Sequence, residues 1–442
     1  MKNAAEIPPD GDHDSPDTEI APGENTRDGG KNSASNSRPD AALLSLFTPE
    51  GRENPYPAYA ELRRHTPVHH HAGLATYVLT RFADCHAVLT DPAFHTPGRA
   101  WCDREIPDWR EHPGARFFYS SLLRTEGPDH SRVRRLVGGA LGTRATRTLL
   151  PAVRALTRGL LDRFADATAD GGTADFQELV GYPLPVAVVG HLIGAPPEDQ
   201  GAFHRLGQDA GRLLEPVRSA EDWRRADAAV VALRGYFTDL VRRRRARPAD
   251  DLTSALLAVR DADDGRLSGR ELVDTLLLIL VAGFETTANL LGLAVHALLT
   301  HPDQWRVLRE RPEAAPGAVE ETLRWDTPVQ MTERIAARPA EIGGVTVPAG
   351  ANVTTVLAAG NRDPARHPDP DAFTVLRADS KVLSFSAGPH HCLGAALARA
   401  EGAELLSQLV TRFPRLAPAG EPVRRASVSL RAFARLPLAA TG

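Results

Sequence analysis

Cysteine is scarce in this chain. Its 442 residues include three cysteines, Cys85, Cys102 and Cys392, and no Cys-x-x-Cys pair. A structural zinc site takes about four nitrogen or sulfur ligands at short spacing, and a disulfide scaffold needs cysteines in patterned pairs. The sequence therefore argues against both and fits a protein of a reducing compartment.

The chain also lacks an excess of positive charge and a long apolar run. Its formal net charge is −4, which gives no bulk attraction to nucleic acid. The most apolar stretch, residues 276–284, is bounded by Asp274 and Glu285 and is shorter than the roughly 20 residues that span a bilayer. The polar N-terminus has no apolar signal segment. We therefore expect a cytoplasmic monomer with neither a nucleic-acid partner nor a membrane partner.

Composition divides the chain into two parts. Residues 1–40 are rich in Asp, Asn, Ser, Gly and Pro, and they predict a disordered acidic leader without a catalytic role. Residues 41–442 predict one large catalytic domain that is mainly α with small β-sheets, an α+β fold. A loop with several aromatic residues is expected at 95–120. Helical patterns cover residues 129–142, 150–168, 195–213, 221–247, 270–299 and 303–325, and β-like segments cover 340–347, 353–357 and 427–438.

The loop of residues 385–394 reads Phe-Ser-Ala-Gly-Pro-His-His-Cys-Leu-Gly. Gly388 and Gly394 allow the backbone to approach Cys392 closely, and N–H groups around the sulfur would favour its anionic form. This arrangement suits a thiolate ligand for haem iron. A buried, inert cysteine is the alternative that the loop alone leaves open. A nucleophile paired with His390 or His391 is disfavoured, because side chains this close in sequence rarely reach each other as a base requires.

A second motif, residues 282–287, interrupts the longest apolar helix with Glu285 and Thr286. Buried polar groups cost free energy unless they are paired or useful. The Thr286 hydroxyl is expected to bond to the carbonyl of Ala282, and with Gly283 beside it to open the helix locally. Acid and hydroxyl together suit a proton relay to dioxygen bound beside a metal. An ordinary kink with a surface glutamate is the alternative.

A third motif is the pair Glu321 and Arg324, three residues apart on a predicted helix. Most such pairs are exposed and contribute about 0–1 kcal/mol. In this chain the pair is followed, in this order, by Arg334, the segment around Arg362 and Phe373. The order of these residues is more informative than the pair alone.

These motifs, in this order, resemble a cytochrome P450 of the soluble actinobacterial type over residues 43–438. The resemblance implies a P450 fold with haem between a long distal helix and a proximal cysteine loop and helix. Ala282 belongs to the oxygen-activating segment, and Glu321 and Arg324 are expected to brace the haem-side core with the segment around Arg362. The residues that match the haem-binding loop are Phe385, Gly388, His390, Cys392 and Gly394.

The resemblance also implies ligands for the haem propionates. His130 and Arg134 match the start of a helix that sends a histidine and an arginine to them, and Arg334 matches a third ligand. His390 adds a fourth contact. Cations at these carboxylates form charge-assisted hydrogen bonds. The chain departs from the family pattern at residues 126–130, which read Glu-Gly-Pro-Asp-His, and at Ser386, where glycine is frequent.

The implied reaction is reductive activation of O₂ at haem b, with Cys392 as the axial thiolate and with Glu285 and Thr286 delivering protons. The sequence contains no flavin or nucleotide fingerprint and no iron–sulfur cysteine set. Electrons are therefore expected from NAD(P)H through a ferredoxin reductase and a ferredoxin.

The substrate pocket implied by the resemblance is mostly apolar, which favours a sizeable hydrophobic molecule. We expect hydroxylation or epoxidation of a polyketide- or macrolide-like natural product in secondary metabolism, such as antibiotic biosynthesis. A peroxide-driven haem-thiolate enzyme and a non-catalytic haem-binding protein remain alternatives. The residues predicted to line the pocket are Val281, Phe284, Val329, Met331, Thr332 and Phe433.

Overall fold

The structure, a computed structural model, describes residues 37–215, 219–262, 267–379 and 381–440. From Pro39 onward the chain forms one compact unit. Most of the predicted leader, residues 1–36, lies outside the described residues. The first helix begins at Ser37, within the last four residues of that predicted segment.

About 61% of the described residues are helical, in agreement with the mainly α class. In chain order the helices are α1 Ser37–Ser45, α2 Pro49–Glu53, α3 Tyr56–His65, α4 Phe82–Thr90, α5 Arg99–Glu105, α6 Pro113–Phe118, α7 Gly127–Leu141, α8 Thr143–Ala167, α9 Pro183–Ile193, α10 Gln200–Gly211, α11 Ala220–Ala246, α12 Leu252–Ala262, α13 Gly269–Thr300, α14 Pro302–Glu310, α15 Ala315–Trp325, α16 Leu357–Asn361 and α17 Ala395–Arg412.

The strands form small sheets beside the helices. The largest has the order β1-β2-β8-β5-β3, with β2 and β8 parallel and the other neighbours antiparallel; the others are β4-β12-β9, β10-β11 and β6-β7. The strands are β1 Val68–His71, β2 Thr76–Leu79, β3 Phe94–His95, β4 Ala174–Asp175, β5 Thr332–Ala336, β6 Ala340–Ile342, β7 Val345–Val347, β8 Asn352–Thr355, β9 Leu416–Pro418, β10 Val423–Arg424, β11 Phe433–Arg435 and β12 Pro437–Ala440.

Helix α13 is the centre of the fold and packs against α9, α10, α11, α15 and α17. It starts at a capping box in which the Ser268 hydroxyl accepts from the Glu271 N–H at 3.1 Å, and Glu271 accepts from the Ser268 N–H at 2.8 Å. By length and composition alone this 32-residue helix could cross a membrane. The apolar segment is therefore longer than residues 276–284, the stretch identified from the sequence. However, 72% of its most apolar window is buried inside the fold, as in the core helix of a globular protein.

Several predicted elements differ from the structure for identifiable reasons. The helix expected over 303–325 is two helices, because Pro312 lacks an N–H and disfavours helical geometry at Arg311. Helix α9 was not predicted, since it is apolar on nearly every side and shows no helical periodicity. The expected loop at 95–120 contains α5 and α6, and Trp109, Phe117 and Phe118 are buried in the core.

Helix α17 contains Glu401, a completely enclosed carboxyl whose Oε2 has no hydrogen-bond partner among the residues described. Burial raises its pKa from the usual 4.5 to about 8. The folded state therefore keeps a proton that the unfolded chain releases above pH 4.5. The resulting stability is fully present below about pH 4.5 and is lost as the pH rises to about 8.

We expect Glu401→Gln to flatten this pH dependence. In the wild type this group should reduce the free energy of unfolding by on the order of 1 kcal/mol per pH unit across that window. The test is thermal or denaturant unfolding at several pH values. Glu404→Gln is the matched control, because Glu404 lies one turn away and pairs with Arg154. An unchanged pH slope in Glu401→Gln would contradict the prediction.

Candidate functional site

The loop before α17 holds Cys392 by backbone contacts. The Cys392 N–H donates to the Phe385 carbonyl at 2.9 Å, which closes the loop on itself. Gly388 has a φ of 66°, and a Cβ there would lie 2.5 Å from the Leu89 carbonyl oxygen in α4. Only glycine fits this position without displacing α4. The loop is therefore closed by the Cys392 bond and packed against α4 at Gly388.

Ser386 explains why glycine is frequent at its position in the family. Its φ is 61°, in the left-handed region that costs energy for residues other than glycine. Its buried Oγ has no partner among the described residues. Serine in place of glycine at position 386 therefore puts strain on the backbone there. The hydrogen bond from the Cys392 N–H to the Phe385 carbonyl is still formed.

The surroundings of the Cys392 sulfur act on its pKa in opposite directions. Desolvation by the protein packed around it raises the pKa of the thiol. The N–H groups of Gly394 and Ala395 and the guanidinium of Arg134 lower it. These are the groups that would stabilise a thiolate once a cation binds the sulfur. Arg134 also donates to the His391 carbonyl and so contacts the loop directly.

Two of the predicted propionate ligands, His130 and His390, lie against each other. Their ring centroids are 4.3 Å apart, and His390 Nε2 lies 3.1 Å from the Glu126 Oε1. His130 is buried, and its Nε2 has no partner within the described part of the chain. Burial lowers the pKa of His130 to about 4, and the neighbouring His390 and Arg134 add to this effect.

Arg334 is a buried cation that forms no ion pair with a carboxylate among the described residues. It is 3% exposed, and in the described structure its hydrogen bonds go to the Thr332 hydroxyl at 3.3 Å and the Glu333 carbonyl at 2.8 Å. Burial lowers its pKa to about 10; the nearby Arg124 contributes to the lowering, and Glu126 opposes it. A guanidinium in this state lacks the negative partner that buried charges normally have.

These groups fit haem. No group of three or more His, Cys, Asp or Glu among the described residues could hold a metal ion by itself. A metal on Cys392 therefore needs a bound group that supplies its other ligands, and the carboxylates of haem would pair with Arg334 and the orphan nitrogen of His130. Arg134 contacts the loop at the His391 carbonyl, and His390 lies in the loop against His130. Arg334 interacts electrostatically with Glu126, the residue that pairs with His390.

The acid and alcohol of α13 are placed on different sides of the helix. The Thr286 hydroxyl donates to the Ala282 carbonyl at 2.9 Å, which confirms the predicted bond. The helix continues through this segment, so the expected local opening is not seen. Glu285 is completely buried and pairs with Arg425, and burial raises its pKa.

Two glycines of α10 make room for the side chains beside Thr286. A Cβ at Gly211 would lie 2.1 Å from Glu285 Oε2, and one at Gly207 would lie 2.2 Å from the ring of Phe284. Helices α10 and α13 therefore approach closely here, with both side chains inserted between them. Replacing either glycine would displace Glu285 or Phe284.

The buried brace predicted around Glu321 and Arg324 is present, with one member that the sequence did not reveal. Arg324 donates to both carboxylate oxygens of Glu321 at 2.8 and 2.9 Å, and both side chains are fully buried. Arg377 also donates to both oxygens, at 3.0 and 3.1 Å. Arg362 does not contact Glu321; it donates to the Trp325 carbonyl and stacks on Tyr56 at 3.5 Å. Its segment reaches the brace through the Asn361 carbonyl, 3.4 Å from Arg324.

Two predicted pocket residues are not placed with Ala282 and Thr286. Phe284 is about 200° around the helix from Thr286 and packs on α10, since successive residues turn by 100°. Phe433 is fully enclosed, with its ring 4.8 Å from His296 and 4.3 Å from the Arg424 guanidinium. Both belong to the core behind α13, which corrects the pocket prediction. Of the other residues, Val281 is buried and Val329, Met331 and Thr332 are half-buried.

Sequence reasoning missed Arg377 and Arg425. Arg377 had a weak signal, an arginine four residues after Phe373. Arg425 had none, because it is 140 residues from Glu285 and meets it only through the fold.

Comparisons with known proteins point to one family. A model of the cytochrome P450 family matches residues 85–437. The chain is 36% identical over 400 residues to 6-deoxyerythronolide B hydroxylase of Saccharopolyspora erythraea, covering 88% of this chain and 96% of that protein. It is 38% identical over 399 residues to vitamin D(3) 25-hydroxylase of Pseudonocardia autotrophica, covering 89% and 95%. The crystal structure of P450BioI in complex with an acyl carrier protein ligated to hexadec-9Z-enoic acid is similar with a TM-score of 0.82, 30% identity and coverage of 89% and 99%.

Proposed function

The chain belongs to the cytochrome P450 family of monooxygenases, and we propose that it hydroxylates or epoxidises a hydrophobic natural product of the polyketide or macrolide type. Bacterial members generally act on hydrophobic substrates with electrons from a ferredoxin and its reductase. The observation that supports the substrate class is 36% identity, across nearly the whole chain, to a hydroxylase named for 6-deoxyerythronolide B. We propose a cytoplasmic, monomeric enzyme supplied by such a ferredoxin.

Cys392 would hold the iron of haem b, and His130, Arg134, Arg334 and His390 would hold its carboxylates. When bound, the haem supplies reductive activation of O₂. The protein's own part is to anchor the group and to supply protons. Pairing Arg334 with a carboxylate would remove the cost of burying an unpaired guanidinium.

Proton supply falls to Thr286 and Glu285. In the resting arrangement the Thr286 hydroxyl proton points to the Ala282 carbonyl, so the hydroxyl oxygen keeps a free lone pair that can accept another hydrogen bond. The buried Glu285 carboxyl has a raised pKa, and Arg425 limits the rise. Glu285 therefore keeps its proton to a higher pH than an exposed glutamate does. Because the two residues differ by about 100° around the helix, transfer between them runs through water.

Thr286→Ala is expected to bind haem normally but to uncouple NAD(P)H consumption from product formation. Removing the hydroxyl should lower the product formed per electron pair by about tenfold or more, the scale of a lost proton-transfer group. Thr286→Ser keeps the hydroxyl and should restore most of the coupling. The measurement compares NAD(P)H consumed with product and peroxide formed, and full coupling in Thr286→Ala would exclude this role.

The substrate class is tested by a binding screen on the haem-loaded protein. Macrolactones and linear polyketides are compared with secosteroids and fatty acyl groups on a carrier protein, and the spin state of the haem reports displacement of its water ligand. We expect the macrolactones to give the largest spin-state change and to be oxidised with NAD(P)H, ferredoxin and reductase. Conversion by peroxide alone would favour the peroxide-driven alternative. Absence of reductant consumption with every compound would favour a non-catalytic haem protein.

A further inference from the structure

A polar cavity lies beside the N-terminal end of α13, between this helix, α5, α7 and the segment of residues 120–125. Its volume, about 170 Å³, is many times the roughly 10–15 Å³ that one water needs. Leu122 and Val133 are the only apolar residues among its described lining residues. Cavities that bind small molecules are usually lined mostly by apolar side chains. This cavity therefore suits a polar group of several atoms rather than a second hydrophobic molecule.

Hydroxyl groups line the polar cavity on several sides, and that of Thr275 has no hydrogen-bond partner in the described structure. Thr275 is 5% exposed, and no hydrogen bond among the described residues involves its hydroxyl. By contrast, the hydroxyls of Thr286 and Thr287 in the same helix donate to the carbonyls four residues earlier, both at 2.9 Å. Buried hydroxyls nearly always have a partner, and a ligand in the cavity would supply the one that Thr275 lacks. The other lining hydroxyls belong to Ser120, Ser121, Thr125 and Ser268.

Two carboxylates on the α13 side of the polar cavity are already paired with guanidinium groups. Glu271 accepts a hydrogen bond from Arg132. Asp274 accepts two from Arg234, at 2.9 and 3.0 Å, and its other oxygen lies 3.5 Å from Arg270 Nε. A cationic ligand would therefore gain little from these carboxylates, and an anionic ligand would meet guanidiniums that are already engaged. Since the lining hydroxyls can both donate and accept, a neutral ligand rich in hydroxyl groups fits the cavity best.

The polar cavity lies on the face of α13 that carries Thr286. Positions 275, 279, 282 and 286 are spaced by four, three and four residues, so they fall within an arc of roughly 60° at 100° per residue. Ile279, Ala282 and Thr286 are half-buried, although most of the helix around them is buried. Thr275 lies about 10 Å along the axis from Ala282 and about 16 Å from Thr286. A substrate along this face would pass the apolar side chain of Ile279 before it reaches the hydroxyls.

We propose that the polar cavity binds a neutral sugar carried by the hydrophobic substrate, with the Thr275 hydroxyl as one of its hydrogen-bonding partners. This assignment rests on the proposed function and makes its substrate more specific. The hydrophobic part would lie along Ile279, with the oxidised atom near Thr286. The sugar would lie about 16 Å farther along α13, where its hydroxyl groups also meet those of Ser121 and Thr125. A glycosyl transfer must then precede the oxidation, because the enzyme receives a substrate that already carries its sugar.

The test compares a macrolactone that carries one neutral hexose with its aglycone, by calorimetry on the haem-loaded protein. The wild type should bind the glycoside about tenfold more tightly than the aglycone. Thr275→Val removes the hydroxyl and should lose most of this preference, because a sugar hydroxyl then lacks its partner, while the affinity for the aglycone stays unchanged. Thr275→Ser keeps the hydroxyl and should retain the preference. Equal affinities of the wild type for the two compounds would overturn the proposal.

Two controls separate the polar cavity from the rest of the protein. Thr300→Val removes a hydroxyl at the other end of α13, roughly 37 Å away, where Thr300 donates to the His296 carbonyl at 2.9 Å. It should keep the preference for the glycoside, and an equal loss there would overturn the role of Thr275. The same macrolactone carrying an amino sugar tests the charge of the ligand. Tighter binding of the amino sugar than of the neutral hexose would overturn the assignment of a neutral group.

Octyl glucoside and octanol make the test independent of the macrolactone. We expect the wild type to prefer the glucoside and Thr275→Val to lose this preference, even if no macrolactone is oxidised. The proposed substrate class would then fail while the sugar site stands. Octyl glucoside bound without any dependence on Thr275 would overturn the sugar site, whatever the enzyme oxidises. A crystal structure with the glycoside locates the sugar directly, and a sugar outside the polar cavity would overturn the assignment as well.

Discussion

Glu321→Gln is expected to destabilise the protein by about 3–5 kcal/mol, the usual cost of removing one partner from a buried ion pair. Glu321 accepts hydrogen bonds from Arg324, from Arg377 and from the Thr374 N–H at 2.8 Å. Without its negative charge, two guanidiniums remain in the interior with no anion between them. The measurement is the denaturant midpoint of the haem-loaded protein, followed by circular dichroism and by haem absorption.

Glu320→Gln is the matched control for this change. It is the adjacent residue in α15 and pairs with Arg399, but both side chains are partly exposed, 27% and 36%. Exposed pairs contribute about 0–1 kcal/mol, so this variant should remain close to the wild type. Equal losses in both variants would contradict the claim that burial of the Glu321 charge decides the effect.

Cys392→Ala is expected to abolish the thiolate spectrum of the haem completely. The other two cysteines cannot replace the ligand: Cys85 and Cys102 are both buried elsewhere, and desolvation raises the pKa of Cys85 far above its usual range. The measurement is absorption of the reduced carbon-monoxide complex, with circular dichroism to verify that the protein is folded.

Cys85→Ala should keep that spectrum, because the Cys85 sulfur bonds only weakly to the Leu79 carbonyl at 3.4 Å. Cys392→His tests whether the protein can fold and bind haem with a nitrogen ligand. It should retain haem and lose the thiolate band. A thiolate band in either Cys392 variant would show that another residue holds the iron.

The parts of the site that are local in sequence could be predicted. The bond from Thr286 to Ala282 follows from helical spacing, because a threonine hydroxyl reaches the carbonyl four residues earlier. The pairing of Glu321 with Arg324 follows from the same geometry at three residues. Such contacts depend only on the element being helical, which the apolar pattern indicates.

Contacts made across the fold could not be predicted in this way. Arg377 reaches Glu321 over 56 residues, and Arg425 reaches Glu285 over 140. The composition of the chain offers many arginines, and no periodicity selects these two. Only the packing of the elements decides which guanidinium meets which carboxylate.

The neighbours that apolar side chains pack against could not be predicted from the sequence either. The resemblance to the family implied a place for Phe284 beside the substrate. Gly207 opens a space in α10 that the ring fills instead. A buried helix with apolar residues on every side gives no signal of which neighbour each side will meet.

The close approach of Gly388 to the Leu89 carbonyl limits the transfer of the cysteine loop to another protein. The ten residues from Phe385 to Gly394 do not determine the position of the sulfur by themselves, because one wall of their loop is supplied by α4, about 300 residues earlier in the chain. A fragment that begins after α4 would keep all ten residues of the motif but would lose the packing of the loop against α4. In this protein both the loop and α4 determine where the sulfur lies, so a graft of the loop into another scaffold has to include the α4 segment as well.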